Sequence, residues 1–137
     1  MRQVNTPLYI VKQAPATGDS PGASANHWVP NTDAYVTEDG LVIKVELAGV
    51  LREDLDLVVE GNRLKISGQR PDGCRASKCK FLIMEINYGP FACVIEVPSG
   101  YDLSEAVAAY QNGFLRIDIP KALTGSKRLM VPGSEPR

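Results

Sequence analysis

The sequence predicts an all-β protein, an antiparallel immunoglobulin-like β-sandwich, and three observations support this prediction. Apolar and polar residues alternate over short runs, as they do in strands that bury one face. Dipeptides typical of tight turns separate these runs. No long stretch has the spacing of an amphipathic helix. Short strands joined by tight turns are typical of two packed antiparallel sheets.

The first pair of strands lies in "DAYVTEDGLVIKVELAGV", where Asp39–Gly40 joins the two runs. Asp-Gly accepts the positive φ angles of a type I′ hairpin turn. One face of the second strand is apolar, and we expect it to be buried. Its residues are Leu41, Ile43, Val45 and Leu47.

Two further hairpins are predicted in the same way, from a turn dipeptide between two alternating runs. Gly61–Asn62 turns the chain in "DLDLVVEGNRLKISGQ", and Asn112–Gly113 does so in "VAAYQNGFLRIDIPK". Another strand, "FACVIEVP", lies between these hairpins. The apolar residues that share a face in the hairpin strands are Leu55, Leu57 and Val59, then Leu64 and Ile66, then Leu115, Ile117 and Ile119.

Composition divides the chain into three parts. Residues 1–27 read as a flexible N-terminal arm, because an apolar patch is followed by a segment rich in proline, glycine and small residues. Residues 28–121 carry the strand signals. Residues 122–137 form a C-terminal tail too poor in apolar residues for a core of its own, in which Leu129 and Val131 stand out as an apolar pair.

Charge and motif content exclude several classes of protein. A formal net charge of -1 leaves no basic footprint for nucleic acid and no polybasic patch for a membrane. No apolar run approaches the roughly 18 residues of a membrane span, and the N-terminus lacks a signal-peptide core. We therefore expect a cytoplasmic chain. No nucleotide loop, nucleophile elbow or metal motif occurs, so the sequence predicts neither an enzyme nor a bound cofactor or metal.

The three cysteines do not form a recognisable framework. Their odd number and the lack of C-x-x-C spacing argue against both a disulfide scaffold and a zinc site. Cys74 and Cys79 lie among basic residues, which leaves two interpretations open: exposed thiols without a role, or redox-sensitive thiols. Cys93 alternates with apolar neighbours, and we expect it to be buried.

Four segments in register resemble the α-crystallin domain of the small heat shock proteins. The pattern W-x-P-x-x-D runs from Trp28 to Asp33, and Leu47 to Arg70 resembles the family's L-P-G-V segment and the strands after it. "YGPFACVIEVP" and "AAYQNGFLRIDIPK" follow in the family's order. The resemblance covers residues 28–121, and Leu129-Met130-Val131 is similar to the family's I-x-I/V tail anchor.

This resemblance implies an ATP-independent chaperone, a holdase that binds unfolding clients and delays their aggregation. It also implies a homodimer built by strand exchange. Two alternatives stay open for its assembly: larger oligomers, as in the family, or a dimer or small oligomer, because the N-terminal arm is short for the family. In the family, a loop carries a strand into the partner's sheet and returns at an aromatic-glycine pair. Pro90 follows that pair here. The residues of this chain that correspond to the loop and its return are Cys79, Phe81, Ile83, Glu85, Tyr88 and Gly89.

The family's tail anchor docks in an apolar groove between the two sheets. Leu129 and Val131 are the anchor residues here, and the groove also becomes a candidate client site. Its residues are expected to be Leu55, Leu57, Val59, Leu115, Ile117 and Ile119. The N-terminal arm supplies a second candidate client surface, formed by Leu8, Tyr9, Ile10, Val11 and Trp28.

The chain departs from the family pattern at charged positions. Cys93 and Ile86 stand where the family commonly has arginine, and Ala48 stands in place of a proline. The first two changes put in doubt any charge pairing that the family makes there across its dimer. An alternative with the same fold is a p23-like (CS-domain) co-chaperone or adaptor, which binds a folded partner. It lacks an exchange loop and a Leu-x-Val tail.

Overall fold

The computed structural model describes residues 8–15, 27–72 and 79–123 of the chain. These residues form eight strands and two single 3₁₀ turns, Arg52–Asp54 and Leu103–Glu105. The predicted all-β class is therefore confirmed. The strands are β1 (Val11–Gln13), β2 (Thr32–Val36), β3 (Gly40–Glu46), β4 (Leu55–Glu60), β5 (Arg63–Arg70), β6 (Gly89–Glu96), β7 (Val107–Gln111) and β8 (Phe114–Pro120).

The strands pair into two antiparallel sheets. Sheet A has the order β1-β6-β5-β4, and sheet B has the order β2-β3-β8-β7. The edge strands are thus β1 and β4 in sheet A, and β2 and β7 in sheet B. Residues 71–88 connect β5 to β6, and the strands on either side of this connection pair from Arg70 with Gly89 to Arg63 with Glu96.

The core is one apolar layer between the sheets. In β3, β5, β6 and β8 every second side chain points into this layer, as period-2 alternation requires. All the residues that the sequence predicts to be buried in β3 and β5 are buried. The largest fully buried side chains include Phe91, Ile43, Leu47, Leu64, Ile66, Ile95, Leu115, Ile117 and Ile119.

Two of the three predicted turns lie where the sequence indicates. Gly61–Asn62 joins β4 to β5, and Asn112–Gly113 joins β7 to β8. Asn112 and Gly113 have φ angles of 53° and 82°, as a type I′ turn requires at both central residues.

The prediction of a type I′ turn at Asp39–Gly40 is wrong. The loop residues are Glu38 and Asp39, because Thr37 and Gly40 pair through main-chain hydrogen bonds of 2.7 and 3.4 Å. Neither loop residue has a positive φ. Gly40 instead begins β3, where a side chain would collide with the carbonyl oxygen of Ile119 in the adjacent strand.

Within the predicted N-terminal arm, the structure describes residues 8–15, and these include a strand. Val11–Gln13 forms β1, which pairs with Val94, Ile95 and Glu96 at the edge of sheet A. Lys12 lies opposite Ile95, and its ammonium group donates a hydrogen bond of 2.7 Å to the Pro30 carbonyl. Ile10 packs against the core. Main-chain pairing and one partly buried side chain thus hold this part of the arm on the sandwich.

Replacing Gly68 with alanine should destabilise the fold. An added Cβ would lie 2.7 Å from Cζ of Phe91 and closer still to the carbonyl oxygen of Asp54, and overpacking a core costs about 1–3 kcal/mol. Urea unfolding would measure the loss. Gln69→Ala, at the exposed neighbouring position, is the matched control and should change stability little. Equal stability of Gly68→Ala and the wild type would contradict this close packing.

Candidate functional site

An open groove of about 400 Å³ lies where the edge strand β4 of sheet A faces β7 and β8 of sheet B. Its lining combines apolar and polar groups, with Leu55 and Leu57 on one side, Leu115 at the base, and Arg52 and Gln111 as polar members. The residues that line it are Arg52, Leu55, Leu57, Ala108, Ala109, Tyr110, Gln111 and Leu115. Since β4 and β7 are both edge strands, no further strand among the described residues closes the sandwich on this side.

One end of the groove is held by contacts between the sheets. The Tyr110 hydroxyl lies 2.6 Å from the Leu47 carbonyl oxygen and 2.7 Å from that of Val50, so its proton is shared between them. Arg52 donates a hydrogen bond of 3.3 Å to the Tyr110 carbonyl. These contacts join β7 to the segment that leads into β4, so they keep the two walls at a defined separation.

The six predicted groove residues fall into two groups. Leu55 is half-buried, Leu57 is exposed and Leu115 is buried, and these three line the groove. Val59 is exposed on the same strand but is not among the residues that line it. Ile117 and Ile119 are buried in the core and do not line this groove. Ile119 borders a different cavity beside Gly40 and Pro120. Strand alternation predicts the inward face of β8, but it does not reveal that Ile117 and Ile119 pack inside the core whereas Leu115 reaches the groove.

Five groove residues were missed by the sequence interpretation, namely Arg52, Ala108, Ala109, Tyr110 and Gln111. A signal for two of them exists in "AAYQNG", because Ala108 and Tyr110 lie two positions apart and share a face of the predicted strand. The small Ala108 beside the large Tyr110 gives the groove its depth. Arg52 has no comparable signal, because it reaches β7 only through the tertiary fold.

The tail anchor predicted at Leu129 and Val131 lies outside the described residues, which end at position 123. Its occupancy of the groove therefore stays a prediction.

Residues 79–88 contain no strand, although residues 81–86 are almost entirely apolar. Five large side chains of this exposed loop segment contact solvent: Phe81, Leu82, Ile83, Met84 and Ile86. Leu82 is 89% exposed and Ile83 is 77% exposed. Apolar side chains occupy odd and even positions alike, so both faces would be apolar if the segment became extended. The sequence interpretation named the odd positions and missed Leu82, Met84 and Ile86 as exposed apolar residues of this loop.

The last two predicted loop residues lie where the chain returns to the sandwich. Gly89 is the first residue of β6 and has a φ of 87°. Pro90 follows it near the strand start, where its missing N–H is tolerated. Tyr88 lines a cavity of about 500 Å³ under the base of the loop, together with Glu85, Ile86 and Arg70.

The predicted N-terminal client surface is divided by the fold. Leu8 and Tyr9 are exposed and Val11 is close to half-buried, whereas Ile10 packs against the core. Trp28 also packs against the core, with its ring centroid 5.0 Å from that of Phe91. Only the outward side chains of this set are open to a client.

The cysteines occupy two different environments. Cys93 is free and fully buried, as the sequence predicts, and burial raises the pKa of its thiol to about 11 although the charge of Lys12 opposes the shift. Cys79 is disulfide-bonded, so the interpretation of Cys79 as an exposed free thiol without a role is wrong. The redox-sensitive interpretation stays a prediction. Cys74 lies outside the described residues.

Charged side chains form no compact centre in the described part of the chain. Arg116 and Asp118 form an exposed ion pair of 3.0 Å on β8, and the Lys44 ammonium lies 4.8 Å from the centroid of the Phe114 ring. Among residues 8–15, 27–72 and 79–123, no group of histidine, cysteine and acidic residues is arranged to hold a metal. The same residues include no helix long and apolar enough to cross a membrane.

These features define a two-sheet sandwich with an open groove and a protruding apolar loop, and comparisons place it in a family. Residues 33–131 match the model of the Hsp20/alpha crystallin family. The chain therefore belongs to the Hsp20/alpha crystallin family, as the resemblance implied. This membership favours a small heat shock protein over the p23-like alternative.

Curated relatives carry heat shock names. Small heat shock protein C2 of Rickettsia felis is 31% identical over 100 residues, which cover 73% of this chain and 65% of that protein. The 16.9 kDa class I heat shock protein 3 of Oryza sativa is 34% identical over 110 residues, which cover 79% of this chain and 72% of that protein. The match thus spans slightly less than two thirds of the Rickettsia protein.

Solved structures agree with the fold. A small heat-shock protein from Xylella fastidiosa superposes with a TM-score of 0.66 at 28% identity, over 77% of this chain and 97% of that one. The structure of hspA from Xanthomonas axonopodis superposes with a TM-score of 0.63 at 28% identity. The match covers 69% of this chain and 95% of that one.

The buried Cys93 thiol should weaken the fold at alkaline pH. Between about pH 9 and 11 the thiol ionises in the unfolded chain but stays protonated in the folded one, so stability falls as pH rises, by up to roughly 2–3 kcal/mol. In a Cys74→Ser/Cys79→Ser background, urea unfolding at pH 8 to 11 should show a steeper loss with Cys93 present than with Cys93→Ala. If stability falls equally with pH in both variants, the raised pKa of Cys93 is contradicted, because all other titrating groups are common to the two variants.

Proposed function

We propose that the protein is an ATP-independent holdase that binds unfolding proteins through apolar surface and delays their aggregation. The observation that carries this proposal is the amount of large apolar side chain left in contact with solvent, in the groove and in residues 81–86. Exposed apolar patches of this kind mark binding sites for other chains. Family membership supports the same function, and the proposal assigns no catalytic group or cofactor to the chain.

The groove is the proposed site for both the tail and clients. Leu57 and Val59 project from an edge strand, so an extended segment can lie along β4 and cover them. Burying Leu129 and Val131 there would contribute roughly 3–6 kcal/mol. Ordering a three-residue segment costs a similar amount, at about 1–2 kcal/mol per residue. A single tail should therefore dock weakly, and several tails in one assembly should dock together more firmly.

Weak docking of the tail in the groove has a functional consequence. A tail that leaves the groove readily exposes Leu55 and Leu57 to an unfolding client without any input of ATP. The client competes with the tail for the same apolar contacts. The exposed Leu8 and Tyr9 at the end of β1 are a second proposed contact for clients.

The apolar loop is the proposed dimer contact. Residues 81–86 are rich in strand-forming residues, yet they pair with none of the eight strands that the structure describes. The outer edge of β2 presents unpaired main-chain groups, flanked by the exposed Tyr35 and Val36. We propose that each loop adds a strand to this edge in a partner copy. Tail docking between such dimers would then produce larger oligomers, and we expect both forms in the cytoplasm.

Holdase activity should depend on the groove and the tail. Heating a heat-labile client without ATP should cause less light scattering when the full chain is present. Leu57→Ser should weaken this protection. The bound client would bury Leu57, and loss of one leucine that is buried on binding reduces affinity about tenfold or more. Leu129→Ala/Val131→Ala should lower the mass of the assembly by loosening the tails.

Two matched variants control this experiment. Val58→Ser changes a residue of similar exposure (39%, against 36% for Leu57) on the opposite face of β4, and it should protect as well as the wild type. Ser134→Ala changes the tail outside the anchor and should leave the mass unchanged. Failure of the wild type to suppress scattering at any ratio to the client would overturn the holdase proposal.

The dimer should depend on the loop. Replacing residues 79–86 with a glycine-serine linker removes the segment proposed to pair with the partner, so the chain should sediment as a monomer. The measurement is sedimentation equilibrium in a Leu129→Ala/Val131→Ala background, where tail-mediated assembly does not contribute. A persistent dimer would show that another surface makes the contact.

A further inference from the structure

Arg70 stands at the base of the exchange loop. It is the last residue of β5, and its partner across the sheet is Gly89, the first residue of β6. The chain therefore leaves the sandwich after Arg70 and rejoins it beside the same residue. Only 9% of Arg70 is exposed to solvent, so its charged side chain is buried. Charged side chains are rarely buried unless specific contacts compensate them.

Those contacts come from three separate segments of the chain. Nε of Arg70 donates a hydrogen bond of 2.8 Å to the carbonyl of Asn87, in the returning arm of the loop. A terminal nitrogen donates another of 2.9 Å to the carbonyl of Ala48, in the turn after β3. The guanidinium also lies 4.3 Å from the centre of the Trp28 ring, a distance at which a cation is attracted to an aromatic face.

Trp28 extends this arrangement to the start of β6. Its indole N–H donates a hydrogen bond of 3.2 Å to the Gly89 carbonyl, and its ring contacts Phe91. Its main chain pairs with the same strand, donating to the Pro90 carbonyl and accepting from the Ala92 N–H. Arg70 and Trp28 together hold both ends of the connection between β5 and β6.

The rest of the loop is less closely packed. A cavity of about 500 Å³ separates part of it from the sandwich, bordered by Ile86 and Tyr88 on the loop side and by Asn31 and Glu46 on the other. The direction in which residues 81–86 project is therefore set at the base of the loop, where Arg70 bridges from the sandwich to Asn87. A planar guanidinium can donate to two carbonyls and stack on a ring at the same time, which an ammonium group cannot.

We propose that Arg70 is a positioning residue for dimerisation, which directs the loop toward the partner chain by fixing the carbonyls of Asn87 and Ala48 relative to Trp28. This inference rests on the proposed strand exchange. It assigns to Arg70 a role in the affinity of the dimer beyond its contribution to the fold. The bound strand must reach the partner in a defined direction, and a loop that is fixed beforehand loses less entropy on binding.

The test is the dissociation constant of the dimer, measured by sedimentation equilibrium on the full chain with Leu129→Ala/Val131→Ala. Arg70→Met removes both hydrogen bonds and the charge, and it should raise the dissociation constant roughly tenfold or more. Arg70→Lys keeps the charge over Trp28 but cannot bridge both carbonyls, so it should raise the constant by a smaller factor. If Arg70→Met does not fold, Arg70→Lys decides the question.

Ile117→Val separates positioning from general stability. It trims a side chain in the core of sheet B, away from the loop, and should lower the urea midpoint while the dissociation constant stays at the wild-type value. An unchanged constant in the Arg70 variants would overturn the proposal, and so would an equal rise in Ile117→Val at a matched urea midpoint.

The variant in which a glycine-serine linker replaces residues 79–86 separates the proposed strand exchange from the proposed role of Arg70. If that chain remains dimeric, strand exchange itself has failed and the role of Arg70 fails with it. If it is monomeric while Arg70→Met dimerises as tightly as the wild type, only the positioning role is overturned.

Discussion

The apolar layer between the two sheets is the interaction on which the rest of the molecule depends. Its central contributors are alternate residues of β3 and β8 on one side and of β5 and β6 on the other, including Ile43, Ile117, Ile66 and Phe91. A shift of one residue in any of these strands would turn its apolar face to solvent, so the layer fixes the register of the sheets. The register in turn determines which strands become edges and where each connection leaves the sandwich.

The two sides of this layer are closed differently, and the difference underlies the proposed function. On one side, β1 pairs with the end of β6, while Trp28 pairs with its beginning and Ile10 packs on the core. On the other side, β4 and β7 face each other across an open groove, and Leu57 stays in contact with solvent. The chain itself thus covers the first side, whereas the second is left for a segment that binds reversibly.

The departures from the family pattern acquire physical meaning in this framework. Cys93, at the position where the family commonly has arginine, lies in the apolar layer with its thiol kept neutral by burial. It therefore contributes packing and no charge. A buried guanidinium is present instead at Arg70, at the base of the loop, where two carbonyl oxygens and an aromatic ring surround it. Ile86 adds apolar surface to the loop, so the proposed contact relies on apolar burial.

Local sequence determined the strands, two of the three hairpin turns and the apolar faces, because alternation and the φ preferences of Asn-Gly and Gly-Asn act between neighbours in the chain. The resemblance of four segments pointed correctly to the family. Tertiary structure alone decided that Leu115 reaches the groove while Ile117 and Ile119 pack inside the core. It also decided that Arg52 reaches the groove and that Trp28 packs against Phe91 beside Arg70. It also drew Val11–Gln13 into a sheet from a segment that reads as flexible. Each of these depends on contacts between residues far apart in sequence, which form only after the apolar layer has brought the two sheets together.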